Sequence, residues 1–367
     1  MRPSASSGGQ RSGRSATHRG AEIPRTLLAW YSLHARRLPW REHRNPYPVW
    51  VSEIMLQQTQ VATVIPYFRR FLRVFPTVSH LAQAPLERVL GIWSGLGYYR
   101  RARHLHRAAQ ILTRAFGGAF PADYWQIRSL PGIGDNTARA LLSIAYNLPY
   151  AVLDGNVARI IARLIALRGN LRHAAFRQAA ESELERLLSR EQPGDFNQSL
   201  MELGQTVCLP RTPRCLACPL RNWCRGYRSG RPESYPAARP RRPTESRHLA
   251  VAVVRRGSKL AMVQGLEEGL LADLLNFPAA FGNSRAGASS RLREKLSGIA
   301  RAPVAIGKPT AELTHRITFR SIRVHIYPVR FPRTQLGHSV RWFAIPELKG
   351  AAVSQLARKI AKKIKED

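Results

Sequence analysis

The four cysteines of this 367-residue chain are Cys208, Cys215, Cys218 and Cys224, with six, two and five residues between them. Thiolates in this spacing are typical metal ligands, because one close pair and two longer arms can approach a metal centre from different directions. The spacing favours an iron–sulfur cubane. A zinc ion, which usually takes two close Cys-x-x-Cys pairs, and a disulfide are the alternatives.

Two carboxylates could take part in catalysis. Glu53 is the one charged residue between Val49 and Leu56, where desolvation would raise its pKa and keep it protonated as a general acid. Asp154 precedes an apolar helical pattern, and an ionised carboxylate at a helix N-terminus could stabilise a cationic transition state. The structural alternatives are an exposed glutamate on an amphipathic helix and a plain helix cap.

A glycine-containing turn occupies residues 130–138, which read LPGIGDNTA. Gly132 and Gly134 permit a tight turn that leaves amide hydrogens uncovered at the start of a helix near Thr137. Such a turn binds phosphodiester oxygens without reading bases, and an ordinary helix connection is the alternative.

The formal net charge of +35 indicates a polyanionic partner, and nucleic acid is favoured over an anionic membrane. No apolar run approaches the roughly 18–20 residues that span a bilayer. Residues 1–21 lack an apolar segment and an acidic residue. They are therefore predicted to form a disordered basic arm rather than a secretory signal, with a transit peptide as the alternative.

Hydrophobic periodicity predicts an α+β protein with two domains. Residues 22–225 have the pattern of a helical domain that ends with the cysteine loop at 208–224, and the Pro- and Arg-rich segment 226–247 is predicted to be a linker. Residues 248–348 predict a smaller α/β domain, and residues 349–367 predict a basic C-terminal helix. Strands are predicted at 249–255, 259–264 and 322–330, and a helix at 287–298.

The order of these features resembles the endonuclease III superfamily of helix–hairpin–helix DNA glycosylases that carry a [4Fe-4S] cluster. Three motifs narrow the resemblance to MutY-type adenine DNA glycosylases, which remove adenine mispaired with 8-oxoguanine or guanine. These motifs are LPWR at 38–41, SEIMLQQTQV at 52–61 and GLGYY at 95–99. The resemblance is strong over residues 24–225 and weaker over 248–348.

The resemblance implies a hydrolase of base excision repair that flips adenine out of the duplex. Glu53 would protonate the departing base, and Asp154 would stabilise the cationic sugar, with Asn156 orienting the site. The four cysteines would hold the [4Fe-4S] cluster. The partner would be double-stranded DNA with adenine opposite 8-oxoguanine or guanine.

The resemblance also implies contacts with the damaged duplex. Trp40 and Arg41 would line the base pocket, whereas Gln58 and Tyr98, with Leu96, would insert beside the lesion pair. Gly132, Gly134 and Thr137 would contact phosphate. Core packing is the alternative for the aromatic and amide side chains.

Residues 248–348 resemble a Nudix-like domain that recognises the base opposite adenine. Thr314 and His315 lie where the family has a loop that contacts 8-oxoguanine, and Leu313 replaces an aromatic residue there. Discrimination between 8-oxoguanine and guanine is therefore expected to be weaker. The segment 265–282 lacks the clustered glutamates of a hydrolytic Nudix box, so pyrophosphate hydrolysis is not expected.

The first lysine of the chain is Lys259. A glycosylase that also nicks DNA needs an amine nucleophile, and the bifunctional relatives have a lysine where this chain has Asn136. A monofunctional enzyme is therefore predicted. A hydroxyl side chain is usual at this position in the adenine-specific branch, so Asn136 is also a departure from that pattern.

Two other functions stay open from the sequence. One is another iron–sulfur helix–hairpin–helix glycosylase, acting on thymine–guanine mismatches or oxidised pyrimidines. The other is a non-enzymatic iron–sulfur DNA-binding protein. The protein is expected to be a monomer in the bacterial cytoplasm, at the nucleoid and not at a membrane, with an organelle as the alternative location.

Overall fold

A computed structural model of the chain describes residues 11–238, 243–267, 271–272, 274–317, 319–330 and 340–366. The chain divides into two compact units, one of residues 1–68 and 111–240 and the other of residues 69–110 and 241–367. Residues 69–110 thus group with the C-terminal part of the chain and not with the rest of 22–225. Helical periodicity does not reveal this grouping, because it identifies a buried helix face but not the partner of that face.

Helices make up most of the first unit, and its main buried cluster comes from α1, α9, α10 and α11. In chain order, the helices of the two units together are α1 (Arg11–His34), α2 (Pro46–Leu56), α3 (Val61–Val74), α4 (Val78–Gln83), α5 (Leu86–Trp93), α6 (Arg100–Phe116), α7 (Tyr124–Ser129), α8 (Asp135–Tyr146), α9 (Gly155–Ile165), α10 (Ala174–Leu187), α11 (Pro193–Thr206), α12 (Arg225–Arg228), α13 (Arg285–Ala300) and α14 (Gln355–Glu366). Among the described residues, none of these helices is long and apolar enough to cross a bilayer.

Two segments differ from their predicted structure. Residues 11–21 are helical, because α1 begins at Arg11, whereas residues 1–10 of the predicted disordered arm lie outside the described residues. A helix anchored by buried Ile23 and Leu27 gains one hydrogen bond for each residue added, which favours this extension. Residues 226–238 of the predicted linker include part of α12, and Tyr235 packs against the buried cluster of the first unit.

The second unit contains a mixed sheet with the strand order β3-β2-β1-β6-β5, in which β4 pairs with β1 and β7 pairs with β2. The β1–β6 pair is parallel, and the other pairs are antiparallel. The strands are β1 (Glu245–Arg256), β2 (Lys259–Gln264), β3 (Leu275–Asn276), β4 (Ala279–Gly282), β5 (Ala311–Ile317), β6 (Arg320–Val329) and β7 (Val340–Ala344).

Helices cover both faces of this sheet. Successive side chains of a strand point to opposite faces, so β1 contributes Leu249 and Val251 to the cluster beneath α14, and Ala250 and Ala252 to the cluster beneath α13. The α+β class is confirmed, because the first unit is helical and the second contains a small sheet covered by helices. The short strands β3 and β4 were missed because they carry too few residues to show a period.

Candidate active site

Glu53 lies on α2, where Val49, Ile54 and Met55 are buried around it. The Glu53 side chain is only partly exposed. The pKa of Glu53 is raised to about 7, because burial and the nearby charge of Asp154 raise it by more than the charge of Arg41 lowers it. Desolvation is the largest of these causes, so Glu53 can hold a proton near neutral pH.

Glu53 and Asp154 line the same groove, which has a volume of about 1040 Å³. Asn136, Thr137 and Asn156 also line this groove. Its volume is sufficient for a nucleobase together with part of its sugar–phosphate chain. The two acids that the sequence singled out are therefore brought together at a cavity.

Asp154 is the N-cap of α9. One of its carboxylate oxygens, Oδ1, accepts hydrogen bonds from the backbone amides of Asn156 at 2.8 Å and Val157 at 2.7 Å. The other oxygen, Oδ2, accepts a bond from Nδ2 of Asn156 at 3.3 Å. The helix start thus fixes the orientation of a carboxylate whose charge is favoured by the helix dipole.

A hydrogen-bonded chain connects this carboxylate to the cysteine loop. The guanidinium of Arg159 donates to Asn156 Oδ1 at 3.0 Å, to the Gly204 carbonyl at 2.8 Å and to the Cys208 carbonyl at 2.9 Å. A side chain at position 204 would place its Cβ 2.7 Å from Cβ of Asn156, so only glycine permits this approach. Sequence reasoning gave Arg159 no role, although its position three residues after Asn156 on one helix face was a usable signal.

Trp40 and Arg41 line a small cavity that also contacts Glu53. Trp40 is buried, and its ring contacts Phe68 edge-on at 5.3 Å. Arg41 donates to Gln198 Oε1 at 3.1 Å and forms an ion pair with Glu202 Oε2 at 2.9 Å. The predicted pocket residues are therefore next to the candidate general acid.

Glu202 on α11 is a site residue that the sequence analysis missed. Its side chain is fully buried, with Arg36 and Arg41 as ion-pair partners. Burial alone would raise the pKa of Glu202, but the hydrogen bond from Arg36 and the charges of Arg41 and Arg36 outweigh it and lower that pKa. The signal for Glu202 in the sequence was its position as the single acidic residue among apolar residues in the segment SLMELG.

The predicted phosphate turn lies between α7 and α8. Gly132 has φ of +82°, and Gly134 is the N-cap of α8; both are exposed. Thr137 is buried and accepts a hydrogen bond from Gln57 at 3.4 Å, so its side chain points to the C-terminal end of α2 at the groove. Asp135 is exposed and pairs with Arg128 at 2.6 Å.

None of the four cysteines is in a disulfide, and all four line one small cavity. Among the described residues, no three Cys, His, Asp or Glu side chains are grouped closely enough for a single metal ion. The neighbouring Arg211, Arg214 and Arg225 are exposed, which makes the loop surface cationic.

Arg163 holds this loop from inside the unit. Its buried guanidinium donates to the carbonyls of Leu209 at 2.7 Å, Pro210 at 2.8 Å, Pro232 at 2.9 Å and Tyr235 at 3.0 Å. It also donates to the Cys208 sulfur at 3.3 Å. Because a buried cation is costly without a nearby anion, cysteine thiolates on a metal centre suit this position.

Comparison with known proteins decides the family. Residues 51–186 match the HhH-GPD superfamily of base excision DNA repair proteins. The chain is 32% identical to the adenine DNA glycosylase of Rattus norvegicus over 92% of its own length and 76% of that protein. This chain belongs to the adenine DNA glycosylases of the MutY type. The adenine DNA glycosylase of Buchnera aphidicola subsp. Baizongia pistaciae is 43% identical, and the match covers 55% of this chain and 57% of that protein.

A solved structure agrees with the fold of the helical part. A thermostable thymine-DNA glycosylase matches with a TM-score of 0.53 at 24% identity, over 59% of this chain and 99% of that protein. At this identity the likeness concerns the fold alone.

The remaining residues expected from the MutY-type resemblance differ in exposure. Gln58 in the first unit and Tyr98 in the second are exposed, and both have left-handed backbone, with φ of +58° and +48°. Leu96 is buried. On β5, Thr314 is exposed, whereas His315 is 7% exposed and faces the core, where burial and the charge of Lys359 lower its pKa to about 4. Thr314 is thus the member of this pair that is open to solvent.

Proposed function

We propose that this protein is a monofunctional adenine DNA glycosylase that hydrolyses the N-glycosidic bond of adenine opposite 8-oxoguanine or guanine in duplex DNA. The observation that carries the proposal is the pairing in one groove of Glu53, whose pKa is about 7, with Asp154 at the start of α9. One acid can donate a proton while the other remains a carboxylate, which is the combination that glycosidic cleavage needs.

The reaction begins with adenine flipped out of the duplex into the groove. Glu53 donates its proton to the base, so that the base leaves as a neutral molecule. Asp154 stabilises the positive charge that develops on the sugar, through the carboxylate oxygen that the backbone amides of α9 do not occupy. Water then completes the abasic site, and Asn156 orients Asp154 through its amide.

Other residues position the DNA in this proposal. Trp40 and Arg41 contact the extruded base beside Glu53. Gln58 and Tyr98 insert next to the lesion pair, which suits their exposure. Thr314 contacts the base opposite adenine, and the amides after Gly132 bind phosphate.

We further propose that Cys208, Cys215, Cys218 and Cys224 hold a [4Fe-4S] cluster. Support comes from four cysteines outside any disulfide around one cavity and from the buried Arg163 guanidinium beside Cys208. Cysteines cross-linked through such a cluster would brace the loop. The loop then presents Arg211, Arg214 and Arg225 to the DNA backbone.

The function is tested with duplexes that carry adenine opposite 8-oxoguanine, guanine or thymine. We expect strand breaks after alkali treatment, with the greatest yield opposite 8-oxoguanine. Without alkali no breaks are expected, because the first unit contains no lysine to form a Schiff base. Strong covalent trapping by borohydride would contradict the monofunctional assignment, and cleavage only of thymine–guanine or oxidised-pyrimidine duplexes would favour a sister activity.

The pH dependence of base excision should report the protonation of Glu53. Because the acid is active when protonated and its pKa is about 7, the single-turnover rate should fall as pH rises through about 7. A solvated glutamate would lose its proton near pH 4.5 and give no decline in this range. A rate that stays constant from about pH 6 to pH 9 would contradict the acid role.

The metal assignment has a direct chemical readout. Protein purified without oxidants should be brown and contain about four irons per chain. Cys218→Ala should lose the colour and most of the iron, whereas Arg225→Ala, on the exposed surface of the loop, should retain both. Stoichiometric zinc in a colourless protein would favour the mononuclear alternative.

A further inference from the structure

We propose that Ser94 and Arg358 are positioning residues that attach the loop of Tyr98 to the sheet of the second unit. This attachment would couple recognition of the base opposite adenine to the insertion of Tyr98 into the duplex. The inference rests on the proposed function. It concerns contacts within the second unit.

The loop that presents Tyr98 has an unusual backbone. Gly95 has φ of +104° and Gly97 has φ of +80°, and Tyr98 follows with φ of +48°. A left-handed conformation is unfavourable for an aromatic residue and persists only where the surroundings hold it. The Trp93 indole donates to the Gly97 carbonyl at 3.0 Å, and Tyr98 nevertheless keeps 47% of its surface exposed.

Ser94, the residue before this turn, is buried and attached to the C-terminal segment. Its hydroxyl donates to the Val353 carbonyl at 2.8 Å. Arg358 on α14 donates from Nε to the Ser94 hydroxyl at 3.2 Å and from Nη2 to the Ala351 carbonyl at 3.4 Å. One serine therefore connects the turn both to a backbone carbonyl and to α14.

Gly91 allows the backbone of α5 to approach the backbone of the segment 350–353 beside Ser94. A Cβ on Gly91 of α5 would lie 2.6 Å from the Gly350 carbonyl oxygen, closer than any real contact permits. Because the obstacle is backbone and not a flexible side chain, a larger residue at 91 would separate α5 from the segment 350–353.

The same C-terminal segment is hydrogen-bonded to the sheet. The Leu275 amide of β3 donates to the Ala352 carbonyl at 2.8 Å, and the Ser354 amide donates to the Leu275 carbonyl at 3.1 Å. Val353 is fully buried, and the apolar face of α14 packs in the cluster beneath the sheet. Hydrogen bonds thus run from β3 through residues 350–354 to Ser94, at the start of the Tyr98 turn.

The coupling is tested by a double-mutant cycle with Ser94→Ala and Tyr98→Ala in the full chain. We expect Ser94→Ala to slow single-turnover excision opposite 8-oxoguanine about 5–10-fold relative to the parent protein. In a protein that already carries Tyr98→Ala, adding Ser94→Ala should slow excision by less than about 2-fold. Fluorescence of 2-aminopurine placed beside the mispair should show the same loss of insertion in both single variants.

Variants of α14 provide the controls. Arg358→Ala should reproduce the effect of Ser94→Ala, and Arg358→Lys should restore part of the rate because it keeps a donor. Lys362→Ala removes an exposed charge from the same helix and should leave the rate unchanged. Melting temperatures identify any variant that fails to fold. If Ser94→Ala fails to fold, the conservative variant Arg358→Lys still allows the coupling to be tested.

The outcomes distinguish this inference from the proposed function. Equal slowing by Ser94→Ala in the presence and absence of Tyr98, or no slowing at all, would overturn the coupling. A parent protein that excises adenine from none of the duplexes would overturn the function itself.

Discussion

Glu53→Gln is expected to reduce the single-turnover rate of adenine excision by about 100- to 10,000-fold, the range that general acids contribute. Glutamine has the same shape but cannot donate a proton in this way to the departing base. Burial that raises the pKa of Glu53 to about 7 is what makes the carboxyl useful as an acid near neutral pH.

Binding and folding should survive this substitution. Glutamine is neutral at every pH and occupies the same space in a desolvated position, so the melting temperature should not fall and the affinity for a mismatched duplex should be retained. Glu42→Gln is the matched control, because Glu42 is exposed eleven residues earlier in the same unit and lines neither cavity described above. Parental activity in Glu53→Gln would refute the acid role.

Asp154→Asn is expected to slow excision by about 100- to 1,000-fold, the usual cost of removing one electrostatic stabiliser of a transition state. Asparagine accepts hydrogen bonds from the amides of Asn156 and Val157 as aspartate does, and it is an equally good helix cap. The substitution therefore removes the negative charge that opposes the sugar cation and preserves the start of α9.

A second helix-capping aspartate provides a control that separates an effect on stability from an effect on catalysis. Asp123 caps α7 by accepting from the Gln126 amide at 2.9 Å, and it is exposed. Asp123→Asn should therefore change neither the melting temperature nor the excision rate. If Asp154→Asn lost activity only in proportion to lost folded protein, the cap alone would explain Asp154.

The chemistry-bearing residues were the most predictable part of this chain. An acid among apolar residues, an aspartate before an apolar helix and four clustered cysteines are local signals, and each can be read within a segment of 17 residues or fewer. The structure places Glu53 and Asp154 at one groove, as a shared reaction requires.

Features that depend on tertiary packing could not be read in this way. The GLGYY motif gives no sign that Leu96 is buried and Tyr98 exposed, because a turn built on two left-handed glycines has no regular period. His315 faces the core because β5 alternates sides, and this strand was not among those predicted. The pairing of Arg41 with Glu202 joins residues far apart in sequence, so no local pattern reveals it.

The buried guanidinium of Arg163 has a consequence for the turnover of damaged protein. This one guanidinium donates hydrogen bonds to backbone carbonyls in residues 209–210 and 232–235 and also to the Cys208 sulfur. Oxidation of the cysteine loop that breaks these bonds would release a stretch containing Arg225, Arg228 and Arg231, which trypsin-like proteases cut when it is unfolded. Loss of the proposed cluster would therefore expose the first unit to cleavage after these arginines.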